Sequence, residues 1–131
     1  MLDEEFDVLY EVLLYPSINV NKLYQSLSGK ISKVKLISLI KRLSDLGLIR
    51  TVRDPRHKQR IMLFLREDIQ ALAQRFLIEP INDKGRDVVK EAERLIRSYM
   101  EVASSVRDPF AKEFLKKLVT VEVDRLLSLV M

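Results

Sequence analysis

Residues 43–65 read LSDLGLIRTVRDPRHKQRIMLFL, and the residue pattern changes within this stretch. Gly47 stands just after a helical pattern, where glycine commonly adopts the left-handed backbone that ends a helix. Residues 48–53 and 60–65 are runs of bulky or β-branched side chains, and they flank a polar segment that begins with an Asp-Pro turn signal. The stretch therefore predicts a helix followed by a two-stranded β-hairpin with a basic tip.

Two amphipathic helices are predicted near the start of the chain. The first covers residues 3–15, with apolar side chains at helical spacing and acidic side chains on the other face. Pro16 ends this helix because the proline ring prevents it from continuing. Asn19 or Asn21 caps the second helix, which ends at the turn signal of residues 28–29.

The third predicted helix leads into the hairpin; Ser32 caps it, and it runs to about Leu46. Apolar residues at three- and four-residue steps predict its core-facing side. They are Leu36, Leu39, Ile40, Leu43 and Leu46. Ile37 lies at the border of this stripe, either as a core residue or as an exposed apolar group that can contact a thymine methyl. Three helices followed by a hairpin is the order of a winged helix-turn-helix.

Three more helices are predicted after the hairpin. They cover residues 67–78, a long segment from Asn82 or Asp83 to about Arg107, and a last segment from Asp108-Pro109 to about Val130. Their apolar faces are broader than a small domain buries by itself, so we expect a homodimer interface; the alternative is a bundle packed within the chain. The expected fold class is mainly α with a small β-hairpin. A winged helix-turn-helix domain over 1–66 precedes a helical dimerisation region over 67–131.

The charge is distributed very unevenly along the chain. Residues 1–21 contain five acidic residues and no Lys or Arg, whereas residues 22–60 contain eleven Lys or Arg and only two acidic residues. Residues 61–131 contain twelve of each sign. Because concentrated like charge repels itself, the basic block indicates a polyanionic partner, and the predicted fold indicates double-stranded DNA.

The composition argues against an enzyme, a metal site and an exported or membrane protein. The chain has no cysteine, one histidine and three glycines, so thiolate chemistry, a His-rich metal site and a glycine-rich phosphate loop are not expected. Acidic residues open the chain where a signal peptide would be basic, and no apolar run reaches the roughly 18 residues of a membrane helix. We therefore expect a cytoplasmic protein without catalytic residues or a cofactor.

Residues 43–50, followed by Asp54-Pro55-Arg56 and Arg60, resemble MarR-type transcriptional regulators. The resemblance covers about residues 18–65, and its most specific element is the Asp-x-Arg of the wing. It implies a DNA-binding regulator in which Asp54 orients Arg56 through a charge-assisted bond. The alternative is that Asp54 is a turn residue and Arg56 a solvated charge. The predicted order, with the winged helix first and the dimerisation helices after it, is similar to archaeal Lrs14-type and PadR-type regulators. The resemblance leaves a small-molecule effector open, although core packing is the default role of the four tyrosines.

The predicted DNA contacts lie on the third helix and in the wing. They are Ser32, Lys33, Lys35, Ser38, Lys41 and Arg42 on the helix, and Arg53, Arg56, His57, Lys58 and Arg60 in the wing. The first half of the helix is expected to contact base edges and flanking phosphates, and the second half phosphates. Arg56 is expected to enter the minor groove. For Ser32 a purely structural role as helix cap is an equal alternative.

Two other functions are compatible with the same predicted fold. A winged helix can act as a protein–protein interaction module, although such a module needs no concentrated basic charge. An abundant chromatin-type protein would use the basic surface to bind DNA without strong sequence preference. A base-specific binding site separates a regulator from both.

Overall fold

The computed structural model describes residues 1–81 and 85–130. Within these ranges the elements are α1 (Asp3–Leu14), β1 (Ile18–Asn19), α2 (Val20–Leu27), α3 (Lys33–Asp45), β2 (Ile49–Asp54), β3 (His57–Leu65), α4 (Glu67–Gln74), α5 (Arg86–Ala103) and α6 (Pro109–Ser128). The chain divides into two units, Met1–Gln70 and Ala71–Met131, and each is described by itself. The division falls four residues after the boundary predicted at 66.

The caps of the first unit follow the sequence pattern. The side chain of Asn19 accepts a hydrogen bond from the Lys22 backbone N–H at 2.8 Å, so Asn19 rather than Asn21 caps α2. The Ser32 hydroxyl accepts one from the Lys35 N–H at 3.2 Å at the start of α3. These bonds satisfy amides that the first turn of a helix leaves without a partner. Beyond α3, Gly47 has a φ of +77°, which a residue with a Cβ adopts only with strain.

The sheet has three strands, where the sequence predicts two. The strand order is β1-β3-β2, and β1 adds to the hairpin through the antiparallel pair Ile18 and Leu63. Pro16 follows the end of α1, and Ser17 then turns the chain with a φ of +74° and donates its N–H to the Leu63 carbonyl at 3.0 Å. The extra strand is only two residues long, too short for an alternating pattern to reveal it.

Apolar side chains from every element of the first unit meet in one core. The buried set is Phe6, Val8, Leu9, Val12, Leu13, Ile18, Leu23, Leu27, Ile31, Leu36, Leu39, Ile40, Leu43, Leu48, Ile49, Leu63, Leu65 and Ile69. The stripe predicted for α3 is part of it, except that Leu46 is half-buried. Because α3 buries this stripe, its opposite side faces solvent.

One acidic residue of α1 is buried, which corrects the expectation that its acids lie on the solvent face. Glu5 is only 4% exposed. Its carboxylate accepts hydrogen bonds from the Leu2 N–H at 3.0 Å and from Arg42 Nε at 2.8 Å. A buried carboxylate is tolerated when charged and polar donors satisfy it, and here a cation of α3 supplies one of them.

In the second unit, α4 ends at Gln74, four residues before the predicted end at Ile78. The amides of residues 75–77 still bond backbone carbonyls three residues earlier, and from Ile78 onwards side chains accept the backbone amides. The Ile78 N–H donates to Glu122, a fully buried carboxylate of α6. Side-chain partners on neighbouring helices thus replace the helical hydrogen bonds that the amphipathic pattern predicts.

Arg94 of α5 binds the same segment. Its guanidinium donates to the carbonyls of Arg75 and Leu77 at 2.8 and 3.0 Å, and also to the carboxylate of Glu91. The Glu91 carboxylate in turn accepts the Glu79 N–H at 2.6 Å. The Arg94 hydrogen bond is the largest influence on this carboxyl and, together with the Glu79 amide and the Arg94 charge, it outweighs burial and lowers the pKa of Glu91.

Helix α5 packs along α6, and Val88 and Leu95 are buried on it. The start predicted at Asn82 or Asp83 lies outside the described residues. The end comes at Ala103 rather than near Arg107, because Ser105 turns back and bonds the Val102 carbonyl with both its N–H and its hydroxyl. The last helix begins as predicted, because the Asp108 side chain caps α6. Among the described residues no helix is long and apolar enough to cross a membrane.

Candidate DNA-binding surface

Helix α3 presents a mixed basic and apolar face to solvent. Lys33, Ser38 and Lys41 are exposed on it, and among the described residues the two lysines have no ion-pair partner. Val34 and Ile37 share this face and are 82% and 53% exposed, which places Ile37 outside the core. The sequence pattern leaves Ile37 undecided and does not single out Val34, whose exposure follows from its position opposite the buried stripe.

The two other predicted cations of α3 lie on its flank beside α1. Lys35 Nζ lies 2.9 Å from a carboxylate oxygen of Glu4, and Arg42 Nε lies 2.8 Å from Glu5. The acidic start of the chain therefore neutralises part of the basic block. Arg42 nevertheless keeps 57% of its side chain exposed, and Lys35 is also exposed. Contacts of Lys35 and Arg42 with DNA remain predictions, and each side chain also has an acidic partner in α1.

The pKa of Glu5 shows which charge state this pair has. Burial acts to raise the pKa of Glu5, but the Leu2 amide, the hydrogen bond from Arg42 and the positive charges of Arg42 and the chain terminus together lower it. The carboxylate is therefore ionised at neutral pH, and Arg42 is held by a charged partner. This pair joins α1 to the helix that carries the candidate contacts.

The wing is a tight hairpin whose basic side chains are exposed. Asp54 pairs with His57, so Pro55 and Arg56 alone form the turn. Between Arg53 and Asp54 the pairing register shifts. Because Arg53 still pairs with Ile61, the residues 58–60 bulge out of the ladder and their side chains project from the hairpin.

Asp54 stabilises this turn, as its alternative role of turn residue predicts, and its orienting bond to the Arg56 side chain stays a prediction. Its carboxylate accepts the Arg56 backbone N–H at 2.9 Å, and its other oxygen lies 4.0 Å from Arg60. The guanidinium of Arg56 is exposed and bonds to no described residue. Asp54 therefore fixes the backbone at Arg56 in the manner of an Asx-turn, and the side chain of Arg56 extends from it.

A groove of about 570 Å³ separates α3 from the wing. Its apolar floor includes Ile37 and Ile61, one from each side. The polar rim consists of Asn19, Asn21, Thr51, His57, Gln59 and Arg60. The sequence indicates the two asparagines only as helix caps and Gln59 only as part of the polar loop. Nothing in their local pattern places them beside α3, because residues of β1, α2, α3 and the wing line the groove together.

The predicted residues thus divide into three groups. Lys33, Ser38 and Lys41 lie together on the outer face of α3. The wing exposes Arg53, Arg56, His57 and Lys58, with Arg60 close to Asp54. Ser32, Lys35 and Arg42 have a structural bond each, as cap or ion pair. In the described parts of the chain, no group of three or more His, Asp or Glu residues is arranged to hold a metal ion.

The fold of the chain is similar to that of solved transcriptional regulators. FabT of Streptococcus pneumoniae, solved in complex with DNA, is 15% identical with a TM-score of 0.50, over 77% of this chain and 76% of FabT. The chain has a winged helix-turn-helix fold. A second winged-helix neighbour, the transcriptional regulator PA4135, is 14% identical with a TM-score of 0.50, over 92% of this chain and 74% of that protein. No family model and no curated protein matches the sequence.

Proposed function

We propose that this chain is a MarR-like transcriptional regulator that binds specific sites in double-stranded DNA. The observation that carries the proposal is the exposed basic face of α3 beside an exposed basic wing, on a fold shared with a regulator solved in complex with DNA. An α-helix fits the major groove of B-DNA, where each base pair presents a distinct pattern of donors and acceptors.

Each group of exposed side chains has a task in this proposal. Lys33 and Ser38, in the first half of α3, contact base edges and the phosphates beside them. Lys41 contacts phosphate further along the helix. Arg56 extends from the wing turn into the adjacent minor groove, where narrow A·T tracts concentrate negative potential. Lys58 and the other exposed cations of the wing add phosphate contacts.

The second unit forms the homodimer in this proposal. Helix α5 leaves an apolar stripe in solvent, because Val89, Ile96 and Met100 recur at steps of seven and four and all lie on one side of it. Met100 is 70% exposed. Exposed apolar residues aligned over three turns favour a partner helix, and a two-fold copy of this chain supplies an identical stripe. A dimer places two α3 helices about one DNA turn apart and predicts a pseudo-palindromic site.

DNA binding is tested by titrating the full chain into labelled duplex across a salt series. We expect the affinity to fall steeply with salt because phosphate contacts release counterions. The variant Arg56→Ala should lower the slope of log K against log salt by about 1. Arg107→Ala, which removes an exposed arginine of the second unit, serves as the matched control and should leave the slope unchanged.

The same titration separates the proposal from its rivals. A preference of about 10³-fold or more for some duplexes over others is the result expected of a regulator. Steep salt dependence without any preference would instead identify a chromatin-type protein. Absence of binding at low salt would leave a protein-interaction module as the function.

The dimer is tested by sedimentation equilibrium of Ile96→Glu and Met100→Glu. Each variant places a charge in the proposed interface, so the mass should fall from that of two chains to that of one. Lys112→Glu changes an exposed residue of α6 and should not alter the mass. A wild-type chain that is monomeric at micromolar concentration would contradict this part of the proposal.

A further inference from the structure

The outer face of α3 exposes aliphatic side chains that its fold does not require. Leu36, Leu39 and Leu43 already supply the core contacts of this helix. Val34, opposite that stripe, is 82% exposed. Ile37 lies three residues further on the exposed side of the helix and is 53% exposed. Two β-branched residues in solvent favour neither helix formation nor solubility. Ile37 also lines the groove beside the wing, so both residues are available for a contact outside the unit.

The polar residues of α3 provide little recognition of A·T pairs. Arginine or lysine recognises guanine, and asparagine or glutamine recognises adenine, through paired hydrogen bonds in the major groove. Helix α3 contains no asparagine or glutamine, and its one arginine, Arg42, is bonded to Glu5. Lys33 and Lys41 can pair with guanine, and Ser38 does not distinguish the bases. A preference for A·T pairs on this face must then come from groups other than paired donors and acceptors.

The charge around the two aliphatic residues identifies the partner. Lys33 and Lys41 lie on the same face, and the basic wing borders the groove into which Ile37 extends. Apolar groups surrounded by cations are complementary to the major groove, where phosphates flank base edges that carry one apolar group. That group is the 5-methyl group of thymine.

We propose that Val34 and Ile37 determine sequence preference by contacting thymine 5-methyl groups in the major groove. The inference rests on the proposed DNA-binding function and adds to it the base that α3 recognises. Each half-site should contain thymines where the first half of α3 lies. Minor-groove contact by Arg56 then favours A·T pairs beside them.

The test replaces thymine by deoxyuridine, which removes only the methyl group and leaves the base pairing intact. A preferred duplex is first obtained by selecting tight binders from a random library. Each thymine of one half-site is then replaced in turn, and the affinity of the full chain is measured. We expect at least one replacement to weaken binding about fourfold, the worth of one buried methyl group.

Variants of the protein connect that loss to the side chains. Ile37→Ala or Val34→Ala should bind the thymine duplex more weakly, and one of them should no longer distinguish thymine from deoxyuridine at the sensitive position. Both residues are exposed, so the fold should persist. Val130→Ala, which shortens an exposed aliphatic side chain of the second unit, is the matched control and should keep the full sensitivity to deoxyuridine.

The outcomes distinguish this inference from the function beneath it. A selected duplex whose affinity is the same with deoxyuridine at every position would overturn the inference and leave specific DNA binding in place. Sensitivity that persists in both Ile37→Ala and Val34→Ala would also overturn it. If the selection yields no duplex that binds, the proposed function fails and the inference fails with it.

Discussion

Replacing Arg42 by alanine should destabilise the first unit, because it leaves the buried Glu5 carboxylate with one donor fewer. Loss of a charged hydrogen bond to a buried group costs roughly 1–3 kcal/mol, and breaking a fully buried pair roughly 3–5 kcal/mol. Here Glu5 is buried but Arg42 keeps 57% of its side chain exposed, so water can reach the carboxylate once the guanidinium is gone. We therefore expect a loss of about 2 kcal/mol at pH 7, within the lower of these ranges.

The pH dependence of this loss has a definite sign. The Leu2 amide and Arg42 together outweigh burial and hold the folded-state pKa of Glu5 below its ordinary value. Glu5 therefore contributes stability that is present above its unfolded pKa and is lost as the pH falls through the folded pKa. In the variant Arg42→Ala, Glu5 is still buried but has lost the cation that lowers its pKa, so its pKa rises relative to the wild type. The difference in stability between wild type and variant should then narrow as the pH falls from 7 towards 4.

Urea unfolding of the full chain, followed by circular dichroism at pH 7 and pH 4, measures both effects. Lys41→Ala is the matched control, because Lys41 lies next in α3 and has no ion-pair partner among the described residues. A cycle with Glu5→Gln should give a coupling free energy of about 1 kcal/mol or more. The reasoning is refuted if Arg42→Ala costs no more than Lys41→Ala, or if the difference is independent of pH.

Three further changes test other parts of the structure. Gly29 has a φ of +89°, and a Cβ added there would meet no atom within 4 Å. Gly29→Ala should therefore lower the free energy of unfolding by about 1 kcal/mol from backbone strain alone, and urea unfolding that shows no loss would contradict this. Arg94→Ala removes the side-chain donor of two carbonyls and the charged donor of the buried Glu91 carboxylate, so it should cost about 3 kcal/mol in urea unfolding. The control Arg97→Ala should cost almost nothing. In DNA titrations Asp54→Ala should weaken binding roughly fivefold, about 1 kcal/mol, while Asp54→Asn should bind like wild type because an amide oxygen can accept the same backbone N–H. Equal losses in the two Asp54 variants would show that the negative charge matters more than the turn.

Most of the first unit follows from local signals in the sequence. The caps Asn19 and Ser32, the glycine after α3 and the hairpin of β2 and β3 each depend on residues within a few positions of one another. Short-range hydrogen bonds and backbone preferences are enough to determine them. Strand β1 and the burial of Glu5 depend instead on partners more than thirty residues away, and the sequence alone does not bring those partners together.

The candidate site divides in the same way. Composition and helical spacing predict that Lys33, Ser38 and Lys41 share an outer face, because the opposite face must be buried. The partners of Lys35 and Arg42 and the groove beside Ile37 arise from the packing of α1 and the wing against α3. The turn role of Asp54 was open to sequence reasoning, since an aspartate two residues before a backbone amide is a common turn former.

We propose above that α3 and the wing recognise specific sites in double-stranded DNA. Repeated selection of tight binders from a library of random duplexes, followed by sequencing, tests it most directly. We predict enrichment of an inverted repeat whose half-sites are about one helical turn apart, with loss of the enrichment when Lys33, Lys41 and Arg56 are all replaced by alanine. A library that stays random after selection, or one that the triple variant enriches as strongly as wild type, would contradict the account.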